Sequence, residues 1–124
     1  MDDRQLQQVL LNLIVNAEQA MASGSTRRLT ISTADRGDRV SIEVRDTGSG
    51  MTVDVRNRIF EPFFTTKPEG TGTGLGLSVS YGIIRSHGGS LSVESSPGAG
   101  AAFRITLPAT EASPTVFALE ENIK

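Results

Sequence analysis

The chain has 124 residues, of which 37% are hydrophobic and 21% charged, with a formal net charge of −2 and no cysteine. This length suits one domain with a single core, and the absence of cysteine excludes disulfides, thiolate metal sites and cysteine nucleophiles. The small net charge argues against nucleic-acid or direct membrane contact, and no apolar run could span a bilayer, so we expect a soluble, cytoplasmic protein.

The first half of the chain contains one predicted helix and one predicted hairpin. Apolar residues from Leu6 to Met21 recur every three or four positions, which predicts an amphipathic helix that ends before Gly24. Segments 29–33 (LTIST) and 40–44 (VSIEV) alternate apolar and polar residues around the turn signal DRGD. This alternation predicts a β-hairpin.

The middle of the chain carries weaker signals. The segment VRNRIF at 55–60 is expected to form one or two helical turns before Pro62, and residues 63–74 show no period and are expected to form a loop. Helical spacing returns from Leu75, and the glycine pair in RSHGG predicts the end of this second long helix.

The last strands complete the predicted fold. SLSVES and AAFRITL alternate around SPGAG and predict a second hairpin. The order of helix, hairpin, irregular middle, helix and hairpin predicts an α+β fold, a two-layer sandwich with the helices on one face of a sheet. We expect this domain to cover residues 1–108 and residues 109–124 to form a C-terminal appendage.

The stretch GTGTGLGLS at 70–78 has a glycine at every second position just before the second long helix. Each ordered glycine costs about 0.5–1 kcal/mol against alanine, so bare backbone must be required there. Backbone N–H groups and the positive helix end converge at this point, which favours a bound phosphate. The run matches neither the P-loop nor the dinucleotide-binding pattern. A glycine-threonine loop without a ligand explains it equally well, so a phosphate site needs support from other residues.

Asp46 is the second candidate site residue. Ile42 and Val44 face the core in the predicted strand, and the same parity puts Asp46 on that buried face. A buried carboxylate needs a partner. The bare backbone at Gly48 and Gly50 would let a ligand amino group, such as that of adenine, approach it. The alternative is an Asx turn that ends the strand.

Asn12 and Asn16 lie four residues apart on the margin of the apolar stripe of the first helix. Their carboxamide oxygens are hard ligands that suit Mg²⁺, which also takes waters and phosphate oxygens. Asparagine is a mediocre helix former, so two of them inside a good helix favour a function. The polar flank of a surface helix is the alternative, and it explains Asn12 better than Asn16.

Four motifs occur in order along the chain, namely LLNLIVNAEQAM, DTGSGM, RIFEPFFTTK and GTGTGLGLS. Together they resemble the ATP-binding catalytic domain of bacterial sensor histidine kinases, within the GHKL superfamily, over residues 2–108. The stretch from TTKPEG to RSHGG is most similar to kinases of the nitrogen-regulation and dicarboxylate-sensing type. The resemblance implies a mixed sheet, with a first strand ahead of the first helix that this chain lacks.

The resemblance implies ATP and Mg²⁺ as cofactors and gives roles to individual residues. Asn16 would bind the Mg²⁺ that bridges the ATP phosphates, Asn12 would assist catalysis beside it, and Asp46 would accept a hydrogen bond from the adenine amino group. The other implied nucleotide contacts are Gly48 and Gly50 in the base pocket, Phe60 and Phe63 as anchors of an ATP lid, and Gly72, Thr73, Gly74, Leu75 and Gly76 over the phosphates. Lys67 is expected either to reach a phosphate in catalysis or to remain a solvated loop lysine.

The resemblance also implies partners. Sensor kinases carry the phosphoaccepting histidine on a separate dimerisation domain, and the phosphoryl group then passes to a response regulator. Nothing in this chain corresponds to that domain, so we expect a piece of a longer kinase, whose parent is either cytoplasmic or membrane-anchored. We interpret His87 as a helix-terminal histidine, favoured there by the helix dipole, and not as the phosphoacceptor.

Three alternatives to a phosphoryl-donating kinase domain stay open. A GHKL ATP hydrolase would need a glutamate base four residues before the Mg²⁺ asparagine, where this chain has Asn12, which cannot take a proton from water. A stand-alone serine kinase of the anti-sigma-factor type is about this size, but the lid sequence and the missing first strand disfavour it. A binding module without catalysis is the third, and an ATP titration separates it from the others.

Overall fold

The computed structural model describes residues 3–22, 24, 26–64 and 76–109. It contains the two long helices and two hairpins that the sequence predicts, and one single-turn helix that begins and ends earlier in the chain than the predicted segment 55–60. The helices are α1 (Asp3–Ala20), α2 (Val53–Arg56) and α3 (Gly76–Ser86), and the strands are β1 (Leu29–Asp35), β2 (Arg39–Asp46), β3 (Ser90–Ser95) and β4 (Ala101–Pro108). Of the predicted appendage 109–124, all but Ala109 lies outside the described residues.

The four strands form one sheet in the order β1-β2-β4-β3. The two hairpins supply the outer pairings, and β2 pairs with β4 in the centre, with Ile42 opposite Ile105. All three pairings are antiparallel. The prediction of a mixed sheet is therefore wrong for the described strands. Each hairpin turn reverses the chain, and the second strands of the two hairpins, β2 and β4, also run in opposite directions. The α+β two-layer class itself is confirmed.

The core lies between one face of this sheet and the helices. Helix α1 contributes Leu6, Val9 and Leu13, each without exposed surface, and the central strand β4 contributes Phe103 and Ile105. This arrangement follows from the i, i+3, i+4 stripe of α1, which leaves the helix only one apolar side to bury. Each of these side chains stabilises the fold by about 1.5–3 kcal/mol on burial.

The opposite face of the sheet is polar. Glu43 on β2 accepts from Arg45 at 2.7 Å and pairs more loosely, at 3.6 Å, with Arg104 on β4. Charged side chains on this face and apolar ones on the other confirm the alternation predicted for β2. The last residue of β2, Asp46, therefore falls on the core side, beneath the helices.

The end of α3 is also as predicted. Gly88 has a φ of 77°, and its N–H donates to the Arg85 carbonyl while the Gly89 N–H donates to the Ile84 carbonyl. This pair of bonds is a Schellman motif, which satisfies the last carbonyls of a helix. The motif turns the chain directly into β3 at the edge of the sheet.

None of the helices that the structure describes is both long enough and apolar enough to cross a lipid bilayer.

Candidate functional site

Asp46 is a buried carboxylate at the end of β2, with only 3% of its surface exposed. Its Oδ1 accepts a hydrogen bond of 2.8 Å from the backbone N–H of Gly48. Its Oδ2 is fully buried and accepts no hydrogen bond from any residue that the structure describes. The Asx turn weighed from the sequence is therefore present, but it uses only one of the two carboxylate oxygens.

The electrostatics of Asp46 follow from this half-satisfied state. Burial raises the pKa of Asp46 above its ordinary value, and the backbone N–H groups of Gly48 and Ala101 act in the opposite direction without cancelling it. Only the Gly48 group reaches hydrogen-bond geometry with the carboxylate. A buried polar oxygen without a donor is costly, so this position favours a ligand that brings an N–H group.

The loop that follows, residues 46–51, is termed the Asp46 loop. Gly48 lies directly under the end of α1, where a Cβ would stand 2.6 Å from the Ala20 carbonyl oxygen. Gly50 has a φ of 72°, and a Cβ there would collide with the carbonyl oxygen of Ser96 in the β3–β4 turn. Both glycines are thus required by neighbouring backbone. Their predicted place in a base pocket stays a prediction.

Two further bonds fix the Asp46 loop against the second hairpin. The Gly98 N–H donates to the Ser49 carbonyl at 2.7 Å, and the Met51 N–H donates to the Ser95 hydroxyl at 2.9 Å. Ser95 in turn donates to the Gly100 carbonyl. On the other side of the loop the Ser49 N–H donates to the Ala20 carbonyl at 3.3 Å, so the loop is held between α1 and the second hairpin.

Asn12 links α1 to the start of α3. Its Nδ2 donates to the Gly76 carbonyl at 3.2 Å and to the Ser80 hydroxyl at 3.1 Å. Asn16, one turn later, is half-buried, and its side chain makes no hydrogen bond to the described part of the chain. The two asparagines therefore differ, since Asn12 is engaged by protein groups and Asn16 has no hydrogen-bond partner among the described residues.

One edge of α1 connects the predicted site residues. Asn12, Asn16 and Ala20 follow one another at intervals of four, so successive members lie about 6 Å apart along the helix axis. Asn12 contacts the first residue of α3 and Ala20 contacts Gly48 in the Asp46 loop. Asn16 thus lies between the start of α3 and the Asp46 loop, along a span of about 12 Å.

The phenylalanines of FEPFF behave differently from one another. Phe60 stacks on Tyr81 of α3 with ring centroids 5.1 Å apart and meets Phe103 edge-on at 6.4 Å. Phe63, the other predicted lid anchor, has a φ of 66° and is 73% exposed. Phe64, which was not among the predicted site residues, packs against the core under the guanidinium of Arg58, 4.6 Å from its ring centroid.

Several predicted site residues lie outside the described residues, namely Lys67, Gly72, Thr73, Gly74 and Leu75. Gly76 is described and begins α3, and apart from its chain neighbours and the backbone of its own helix no atom of the described structure lies within 4 Å of the position of a Cβ. Neither its φ nor its neighbours within that part of the chain require a glycine. A role toward a ligand therefore stays open for Gly76.

His87 occupies the end of α3. Its Nδ1 lies 2.8 Å from the Ile83 carbonyl, which can only accept, so Nδ1 carries the proton. This geometry agrees with the interpretation of His87 as a helix-terminal residue. Among the described residues, no group of three or more histidine, cysteine, aspartate or glutamate side chains could hold a metal ion.

Comparison with known proteins identifies the family. The model of a family described as histidine kinase-, DNA gyrase B- and HSP90-like ATPases matches residues 1–111. The chain belongs to this family. It is 49% identical over 111 residues to the sensor protein FixL of Bradyrhizobium diazoefficiens, covering 89% of the chain and 22% of FixL. It is 47% identical over 117 residues to the sensor kinase CckA of Brucella abortus, covering 84% of the chain and 12% of CckA.

Solved structures show the same fold. The mycobacterial sensor histidine kinase MprB gives a TM-score of 0.75 at 28% identity, covering 87% of this chain and 72% of the MprB chain. The nucleotide-free catalytic domain of the histidine kinase ThkA gives 0.72 at 36% identity, covering 85% and 66%. The resemblance drawn from the four motifs is thereby confirmed, and this GHKL ATPase domain is of the sensor histidine kinase type. The chain spans less than a quarter of the length of FixL or CckA.

Proposed function

We propose that this domain binds Mg-ATP and donates the γ-phosphoryl group to a histidine on a separate dimerisation domain, in two-component signalling in the cytoplasm. The observation that carries the proposal is the unpaired, buried Oδ2 of Asp46. The exocyclic amino group of adenine is a donor of the required kind, and it would satisfy an oxygen that no described protein group satisfies. The family, which is one of ATPases, supports ATP as the nucleotide.

The edge of α1 supports the placement of the phosphates. With adenine at Asp46, the phosphates would extend past Asn16 towards the start of α3, where helical N–H groups favour an anion. The distance of about 12 Å between the two ends suits an extended nucleoside triphosphate. The proposed phosphate contacts of Lys67 and of the glycine run from Gly72 to Gly76 would come from the residues that lead into α3.

The residues fit a Mg²⁺ ion bound together with the triphosphate. Asn16 offers a carboxamide without a protein partner in the described structure, and no carboxylate cluster in the described part competes for the ion. Mg²⁺ usually takes one or two protein oxygens and completes its shell with waters and phosphate oxygens. When bound, it would neutralise phosphate charge, while Asp46 holds the base and Asn16 holds the ion beside the phosphates.

Isothermal titration calorimetry tests the binding step. ATP should bind the chain at neutral pH, and binding should be tighter with Mg²⁺ than with EDTA, because the ion links Asn16 to the phosphates. Inosine triphosphate is the control, since it carries an oxygen where ATP carries the amino group and has no other exocyclic amino group. A chain that binds neither nucleotide, or that binds inosine triphosphate as tightly as ATP, contradicts the proposal.

Position 12 supports phosphoryl donation over ATP hydrolysis. A hydrolase needs a base that takes a proton from water, and a carboxamide cannot do this. Both N–H groups of Asn12 are moreover engaged by α3. With radiolabelled ATP, the chain should release phosphate no faster than a blank, retain no label itself, and slowly label a separately supplied dimerisation domain of its parent. Rapid phosphate release, or label retained on His87, contradicts the assignment.

A further inference from the structure

We infer that Ser80 is a positioning residue of this site, which acts through Asn12 and leaves that carboxamide with only its oxygen to offer a ligand. The inference rests on the proposed function, because it concerns the same Mg-ATP site. Ser80 lies outside the four motifs and is not among the residues predicted from the sequence to contact the nucleotide. Its basis is the pair of contacts that join α1 to α3.

Ser80 is an anomaly in its own helix. Its side chain is fully buried, with 0% exposure, on the side of α3 where Ile84 also has no exposed surface. A buried hydroxyl requires a hydrogen-bond partner. The partner is Asn12 Nδ2, 3.1 Å away and 68 positions earlier in the chain. A helix that needed only to pack here would be served by an apolar residue of the same size.

The orientation of the Asn12 carboxamide follows from its second contact. The Gly76 carbonyl oxygen, 3.2 Å away, can only accept, so the group that faces it must be the NH₂ group and not the oxygen. A carboxamide nitrogen has two N–H groups. One of them is engaged by Gly76 and the other by Ser80, so neither is left for a phosphate oxygen.

The remaining polar atom of Asn12 is Oδ1, which is an acceptor. An acceptor attracts a cation or a water bound to a cation, and it repels phosphate oxygens. Ser80 therefore makes Asn12 suitable for the cation side of Mg-ATP. If the Ser80 hydroxyl is removed, one N–H of Asn12 becomes free and the carboxamide can rotate.

The test is a double-mutant cycle of ATP affinity, measured by calorimetry in Mg²⁺ and again in EDTA. Ser80→Ala should weaken ATP binding about two- to twelve-fold in Mg²⁺, the range for one net hydrogen bond, and should not weaken binding in EDTA, where no cation meets the Asn12 oxygen. Asn12→Ala and the double variant should bind alike, because Ser80 acts through Asn12. Ser86→Ala is the control, since its hydroxyl bonds only within the C-terminal turn of α3, and it should match the wild type.

The outcomes separate this inference from the proposed function. If the wild type binds ATP and Ser80→Ala binds it equally well in Mg²⁺, the role of Ser80 is refuted while ATP binding stands. Equal losses in Mg²⁺ and EDTA, or losses that simply add in the double variant, also refute it, because they indicate general loosening of the fold. If the wild type binds no ATP, the proposed function itself fails.

A measurement on the unmodified chain covers the case in which Ser80→Ala does not fold. In NMR spectra of the wild type, both Nδ2 protons of Asn12 should be protected from solvent exchange, because each is hydrogen-bonded. The exposed side chain of Asn57 gives the reference for an unprotected carboxamide. Asn12 protons that exchange as fast as those of Asn57 would refute the inference without any substitution.

Discussion

Asp35 and Asp46 end the two neighbouring strands of the first hairpin, β1 and β2. Each accepts a hydrogen bond from the backbone N–H two residues later, at 3.0 Å from Gly37 and at 2.8 Å from Gly48. Asp35 is exposed, whereas Asp46 is 3% exposed and has one oxygen without a partner in the described structure. The same turn motif is thus purely structural at one strand end and a candidate ligand site at the other, and burial makes the difference.

The glycines that follow the two aspartates differ in the same way. Gly37 in the turn after β1 has a φ of 82° and open space around it, while Gly50 in the Asp46 loop has a φ of 72° and faces the Ser96 carbonyl. The conformation of the turn after β1 depends only on the local backbone. The Asp46 loop is held between α1 and the β3–β4 turn, so its conformation depends on three parts of the chain.

The largest expected effect is on stability. Gly50→Ala should lower the free energy of unfolding by about 2–5 kcal/mol, which combines left-handed strain of about 1–2 with overpacking of about 1–3. Gly37→Ala, the matched control, should lower it by only about 1–2 kcal/mol, because only the strain applies. Denaturant unfolding followed by circular dichroism measures both. Equal losses at the two positions would show that the Asp46 loop is no more constrained than an ordinary turn.

The next effect concerns ATP. Asp46→Asn should weaken ATP binding by about 1.5–3 kcal/mol, since a charged acceptor is replaced by a neutral one, while Asp35→Asn should leave affinity unchanged. Both substitutions keep an oxygen that can accept from the turn N–H, so the pair isolates the role of the unpaired carboxylate oxygen. Calorimetry decides it, and unchanged affinity in Asp46→Asn would remove Asp46 from the site.

The smallest effect is on the pH dependence of the unliganded protein. Because burial raises the pKa of Asp46 above its ordinary 3.8, the folded chain holds more protons than the unfolded chain between 3.8 and the raised value. The stabilisation that the protonated Asp46 carboxyl contributes is complete below pH 3.8, and it is lost as the pH rises through the pKa of Asp46 in the folded chain. In Asp46→Asn this pH-dependent fall in stability should be absent, and the variant should be more stable than the wild type at neutral pH.

Thermal unfolding at several pH values between 3 and 8, without nucleotide, measures the difference in stability between Asp46→Asn and the wild type. Asp35→Asn is the control. If Asp46→Asn is less stable than the wild type at neutral pH, the carboxylate is satisfied in the unliganded fold. A variant that is more stable and yet binds ATP more weakly would show that Asp46 is retained for binding at a cost to stability.

Local pattern was enough to predict the elements and the side of the sheet on which Asp46 lies. Helical spacing in α1 and alternation in β2 are properties of neighbouring residues, and the burial of Asp46 follows from the parity of Ile42 and Val44. Helical spacing also predicts Asn16 at the margin of the apolar stripe of α1, and its side chain is half-buried there. Local pattern also correctly predicted the end of α3 from its glycine pair.

Contacts between distant segments could not be predicted in this way. The Asn12–Ser80 bond joins positions 68 apart, and the packing of Gly48 against Ala20 joins a loop to a helix end. Within FEPFF, period alone does not distinguish the exposed Phe63 from the packed Phe64. The mixed sheet was wrong for the four described strands because strand direction depends on how the two hairpins meet.

The central claim is that Asp46 accepts a hydrogen bond from the adenine amino group, and its most direct test changes the ligand at that one group. Inosine triphosphate has an oxygen where ATP has the amino group, so it presents an acceptor to the Asp46 carboxylate. Calorimetry with Mg²⁺ should show ATP bound at least about tenfold more tightly than inosine triphosphate by the wild type, and much of that preference lost in Asp46→Asn. Equal affinity of the wild type for the two nucleotides, or an undiminished preference in Asp46→Asn, would contradict the account.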